Sequence, residues 1–72
     1  MSLGKKIVEL RQEANLTQYQ LAEKLCVGQS TISEWENELY EPTASAIRQI
    51  STFFEISSDF LLDLEDEFGN KL

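Results

Sequence analysis

Three residues, Cys26-Val27-Gly28, separate two segments that each carry an apolar stripe at helical spacing. In the first, Thr17 to about Leu25, the stripe is Leu21, Ala22 and Leu25; in the second, about Gln29 to Glu36, it is Ile32 and Trp35. So short a connection leaves the second helix no course except across the first at a steep angle. The crossing sets conditions on single positions. Ala22 must be small where the helices meet, Val27 must be apolar to plug the turn, and Ile32 and Trp35 must anchor the second helix inward. The opposite face, with Gln29, Ser30, Ser33 and Glu34, is then polar and outward. The local signals agree. Thr17 followed by Gln20 is a capping-box pattern, and Gly28 is an acceptable N-cap.

The rest of the chain reads as three more helical segments. The first runs from about Ser2 to Ala14, with Leu3, Ile7, Leu10 and Ala14 on one face. Asn15 follows at a position that suits the left-handed region. After a loop from Asn37 to Pro42, Thr43 caps a segment reaching about Phe54, with Ala46, Ile47, Ile50 and Phe54 inward. Ser57 caps a last one, with Phe60 and Leu61 inward. The expected fold is all-α, a compact five-helix domain over residues 1–64 with the paired unit at 17–36. An acidic, frayed tail at 65–72 opens with Glu65-Asp66-Glu67.

A chain of 72 residues supports one modest core. Cys26 is the only cysteine and there is no histidine, so neither an intrachain disulfide nor the usual zinc spacings are available. The core must hold by packing. No apolar run approaches the roughly 20 residues of a membrane span. Lys5 and Lys6 are followed by a helical pattern rather than a signal-peptide stretch, so a cytoplasmic protein without a membrane partner is expected. Nor is there a Gly-rich phosphate loop or a cysteine–base pair. The expectation is a non-enzyme with no cofactor and no metal.

Thr17-Gln18, Leu21-Ala22-Glu23-Lys24-Leu25, Val27, Gln29-Ser30-Thr31-Ile32-Ser33, Trp35-Glu36-Asn37 and Pro42 form one register, continued by Ile56-Ser57-Ser58-Asp59-Phe60-Leu61-Leu62. Together they resemble the phage-repressor-like helix-turn-helix family of Xre, lambda repressor and Cro. The resemblance implies a lambda-repressor-like DNA-binding domain that binds double-stranded DNA sequence-specifically and regulates transcription as a repressor. It also implies a homodimer on half-sites about 34 Å apart. Leu62, Leu64 and Phe68 are candidates for the dimer contact.

The resemblance implies roles for single residues. Gln18 touches a phosphate and supports Gln29. Gln29 can bond adenine N6 and N7 in the major groove, and Ser30 beside it can donate or accept. Glu34 either accepts from cytosine N4 or stands solvated. Asn37 contacts backbone phosphate, with Thr31 and Ser33 as further candidates and the Tyr40 hydroxyl within possible reach. Arg11 and Glu36 form a structural ion pair joining the first helix to the end of the third.

The chain departs from the family pattern in its turns and its charge. Cys26 stands where the family has Gly, at a left-handed cost of about 1 kcal/mol. After Trp-Glu-Asn the family continues with Gly and a basic residue; here the run is Glu38-Leu39-Tyr40-Glu41. Glu34 takes a usually neutral or basic position, and Glu55 replaces Gly or Asn. Thirteen acidic residues face six basic ones, a net charge of −7. Phosphate neutralisation supplies much of protein–DNA affinity. With Lys5, Lys6, Arg11, Lys24 and Arg48 as the cations before the tail, the log K against log salt slope should be no steeper than about −6 per dimer. The same charge supports an alternative reading: a helix-turn-helix scaffold turned protein-interaction module, with weak or no DNA binding and a basic protein partner.

Overall fold

The computed structural model describes residues 3–56. Within them the chain forms four helices: α1 (Leu3–Glu13), α2 (Gln18–Leu25), α3 (Gln29–Glu36) and α4 (Ala44–Phe54). The fifth helix expected from Ser57, the apolar residues Leu62, Leu64 and Phe68, and the acidic tail from Glu65 lie outside the described residues.

The helix starts follow their capping chemistry. Thr17 Oγ1 accepts from the Gln20 amide at 3.1 Å, and the Gln20 side-chain oxygen accepts from the Thr17 amide at 2.8 Å. Two of the orphan donors at the start of α2 are thereby satisfied reciprocally. Thr43 Oγ1 accepts from the Ala46 amide at 3.2 Å and starts α4. Gly28 precedes α3 with extended backbone and no side chain to cap it.

The four described helices also end alike. Asn15, Cys26, Glu38 and Glu55 sit at φ 57°, 58°, 60° and 57°. Each donates its amide to the carbonyl three residues back, and the next residue donates to the carbonyl five back. The pairs are Asn15 to Gln12 with Leu16 to Arg11, and Cys26 to Glu23 with Val27 to Ala22. They continue with Glu38 to Trp35 with Leu39 to Glu34, and Glu55 to Thr52 with Ile56 to Ser51. This is the Schellman ending, which usually places glycine at the left-handed position. None of the four is glycine. Asn tolerates the region through its short polar side chain; each of the other three costs about 1 kcal/mol. The residue after the turn usually packs back on its helix. Leu16, Val27 and Ile56 pack against the core, whereas Leu39 stands 68% exposed.

Ile7, Leu21, Ile32 and Ile50 are fully buried, surrounded by Ala22, Leu25, Trp35 and Ala46. α3 packs on both α1 and α2, and α4 packs on α2. Two expectations are corrected. Ala14 is exposed, because α1 closes at Glu13 and Ala14 belongs to its ending. Lys6 lies on the buried side of α1 and is only 6% exposed, so it is not a surface cation.

Gly4 explains how closely α1 approaches α3. A Cβ there would lie 2.7 Å from the Trp35 carbonyl oxygen, 2.9 Å from that of Glu36 and 2.8 Å from Glu38 Cγ. Two of those neighbours are backbone and cannot swing aside, so the position requires a residue without a side chain. Among the described residues no helix is long and apolar enough to cross a membrane.

Candidate nucleic-acid interface

α3 is held by one face and open on the other. Ile32 and Trp35 sink into the core. On the other side Gln29 and Ser30 are exposed, while Thr31, Ser33 and Glu34 are half-buried. Because Gly28 supplies no capping side chain, the Gln29 and Ser30 amides keep their donors for solvent or a ligand, while the Thr31 amide donates to the Gly28 carbonyl at 3.1 Å. This end of α3 therefore offers neutral donors and acceptors on a rigid support.

The other end is clamped. Arg11 Nε donates to Glu36 Oε2 at 2.6 Å and Arg11 Nη2 to Glu36 Oε1 at 3.1 Å. Gln18 Nε2 donates to the same Oε1 at 2.9 Å, and Arg11 Nη1 donates to the Leu16 carbonyl at 3.0 Å. The Glu36 carboxylate thus joins α1 and the head of α2 to the tail of α3, and Arg11 adds the turn after α1. The pair is largely withdrawn from water, with side chains 15% and 6% exposed. A fork-like two-point contact of Arg on carboxylate is the strong form of such a pair.

Two of the residues with expected phosphate roles make hydrogen bonds within the chain. Gln18 is bonded to Glu36, and no Gln18–Gln29 hydrogen bond forms among the described residues. Its remaining amide hydrogen is what it can offer a phosphate. Asn37 Nδ2 donates to the Ser33 carbonyl at 2.9 Å and to Ser33 Oγ at 3.2 Å, so its side chain closes the last turn of α3. With Asn37 donating to it, the Ser33 hydroxyl is free to turn its proton outward, and Ser33 is the better phosphate donor of the two. Tyr40 is 66% exposed in the loop after α3.

The electrostatics near this face are unusual. Among the described residues the exposed cations are Lys5, Lys24 and Arg48. Arg11 is engaged by Glu36 and Lys6 is buried. Past the C-terminal end of α3 come the exposed carboxylates Glu38 and Glu41, at the end of a helix dipole that favours cations. Three features escaped the sequence reading: the close approach at Gly4, the Gln18–Glu36 bond and the burial of Lys6. Only Gly4 carried a signal, a glycine inside a helical pattern.

The sequence matches the family described as Helix-turn-helix over residues 7–61. The chain belongs to this helix-turn-helix family. It is 38% identical over 71 residues to the HTH-type transcriptional regulator ImmR of Bacillus subtilis, covering 99% of this chain and 55% of ImmR. The helix-turn-helix chain thus spans about half the length of that relative. Its fold is similar to the P22 c2 repressor in complex with a synthetic operator, with TM-score 0.81 and 27% identity over 86% of this chain and 94% of that one. It is similar also to SinR, the master regulator for biofilm formation, in complex with DNA, with TM-score 0.76 and 28% identity over 83% and 97%. The arrangement is compact, all-helical and lambda-repressor-like.

Proposed function

We propose that the chain binds double-stranded DNA sequence-specifically and regulates transcription, as a repressor acting in the cytoplasm. The carrying observation is the split character of α3, with Ile32 and Trp35 buried and Gln29 and Ser30 exposed on the opposite side. A helix presented this way can enter the major groove with its N-terminal residues at the base edges. Gln29 reads adenine, Ser30 reads either partner, and Glu34 accepts from cytosine. Gln18, Thr31, Ser33 and Tyr40 meet phosphates, Asn37 holds Ser33 in place for its contact, and Arg11 with Glu36 holds α3 at its angle. The chain works as a homodimer, with residues 1–64 as the domain. No enzymatic step, metal or cofactor has a part in this reading. The relatedness to a transcriptional regulator and the likeness to the P22 c2 repressor and to the regulator SinR, each solved with DNA, support it.

Binding will be weakly salt-dependent, because neutral donors replace the usual cations around α3. The slope of log K against log salt should be shallower than about −6 per dimer. The test is selection from a randomised duplex library at low salt. Enrichment of a half-palindromic site is the expected result. Failure to enrich any sequence under these conditions, where electrostatic attraction is strongest, would refute DNA recognition and favour the protein-interaction reading that Glu38 and Glu41 support.

A further inference from the structure

α4 has no carboxylate in its 11 residues, although the chain carries 13 acidic side chains. Its inner side holds Ala46 and Ile50 in the core. Its outer side repeats Ser45, Arg48, Gln49 and Thr52 at helical spacing, all exposed. Where α4 packs on α2, this side meets Lys24 and Leu25, and with Phe53 they line a shallow depression of about 440 Å³. Lys24 and Arg48, 24 positions apart in sequence, are two of the three exposed cations among the described residues. Neither forms an ion pair with another described residue. Phe53 is 38% exposed, and its ring is fixed edge-on against Phe54 with centroids 4.9 Å apart.

We propose that this face of α4, with Lys24, is a docking surface for an acidic peptide segment of a partner protein that carries an apolar anchor residue. Charge complementarity argues for it. A carboxylate-bearing segment is repelled by most of a chain of net charge −7, and here it meets two cations with hydroxyl and amide donors between them. Like-charge repulsion elsewhere and attraction at one patch fix register and orientation. The apolar part of the depression favours a protein occupant: the exposed Phe53 ring offers a contact that a phosphodiester backbone cannot use. The depression is lined by none of the residues proposed to contact DNA, and its Lys24 lies about 9 Å along α2 from Gln18.

The experiment is a titration of the isotopically labelled chain, followed by amide chemical shifts. The probe is a synthetic nonapeptide, Glu-Asp-Glu-Leu-Phe-Asp-Glu-Glu-Leu, beside a control in which lysine replaces every acidic residue. The acidic peptide should shift the amides of Lys24, Arg48, Thr52 and Phe53, the control should not, and Lys24→Glu with Arg48→Glu should weaken binding at least tenfold. If the double variant does not fold, Arg48→Gln alone should still weaken it severalfold. Absence of shifts at millimolar peptide, or shifts unaffected by the substitutions, overturns the proposal. So does movement of the same amides by duplex DNA, which assigns the patch to DNA. Movement on simple dilution of the chain assigns it to a second copy and likewise overturns it.

Discussion

At its N-terminal end α3 presents Gln29 and Ser30 to solvent with no capping side chain behind them. Two turns later Glu36 is held by three side-chain donors from Arg11 and Gln18, and the carbonyls of Trp35 and Glu36 lie against Gly4. The same short helix is free at one end and clamped at the other. A helix that must place side chains against base edges needs its own position fixed within a fraction of an ångström. The clamp supplies that, and it leaves the Gln29 and Ser30 side chains without internal hydrogen bonds. Stability and recognition therefore reside in different residues of one helix, and substitutions should separate them.

The largest effect is expected at the anchor. Trp35→Ala should destabilise the fold by about 3–5 kcal/mol, seen as loss of the cooperative urea transition in a chain of this size. Gly4→Ala acts from the other side of the same contact. Its methyl group meets two backbone oxygens, so α1 must move off α3 and the thermal midpoint should fall sharply. Next comes the ion pair. Arg11→Ala leaves Glu36 withdrawn from water with only Gln18 as a partner, and should cost about 3 kcal/mol. A double variant that also carries Glu36→Ala should recover part of that loss, which a mutant cycle in urea would measure.

Smaller effects sharpen the comparison at the two turns that bracket α3. Cys26→Gly and Glu38→Gly replace residues held at φ 58° and 60°. Each should stabilise the chain by up to about 0.5 kcal/mol, the relief of about 1 kcal/mol of left-handed strain less the extra freedom of glycine in the unfolded chain. Denaturation midpoints of the single and paired variants would check this. The smallest stability change belongs to the free end: Gln29→Ala and Ser30→Ala should stay within about 0.5 kcal/mol of the parent chain.

Local chemistry was legible in the sequence where a signal is confined to a few neighbouring residues. The capping box at Thr17 and Gln20, the start at Thr43, the end of α4 at Phe54 and the inward Ile32 and Trp35 all follow from spacing and side-chain type. The left-handed position at Asn15 was legible for the same reason, but those at Cys26, Glu38 and Glu55 were visible only as departures from a family pattern, because neither cysteine nor glutamate has a preference for that backbone. Long-range contacts were not legible from spacing. Gln18 and Glu36 are 18 positions apart, and nothing in either neighbourhood says that one carboxylate serves both Gln18 and Arg11. Lys6 escaped too, since a lysine beside an apolar stripe reads as a residue at its solvated edge. The paired helices thus explain themselves locally, while the clamp that orients them depends on the tertiary fold.

The central claim is that α3 is anchored by one set of residues and reads DNA with another. Gln29→Ala measures this most directly when its melting curve and its selected DNA site are determined on the same preparation. The account predicts an unchanged melting midpoint together with relaxed preference at a single base-pair position in each half-site. An unchanged site preference, or a fall in stability large enough to explain the loss of binding, would contradict it.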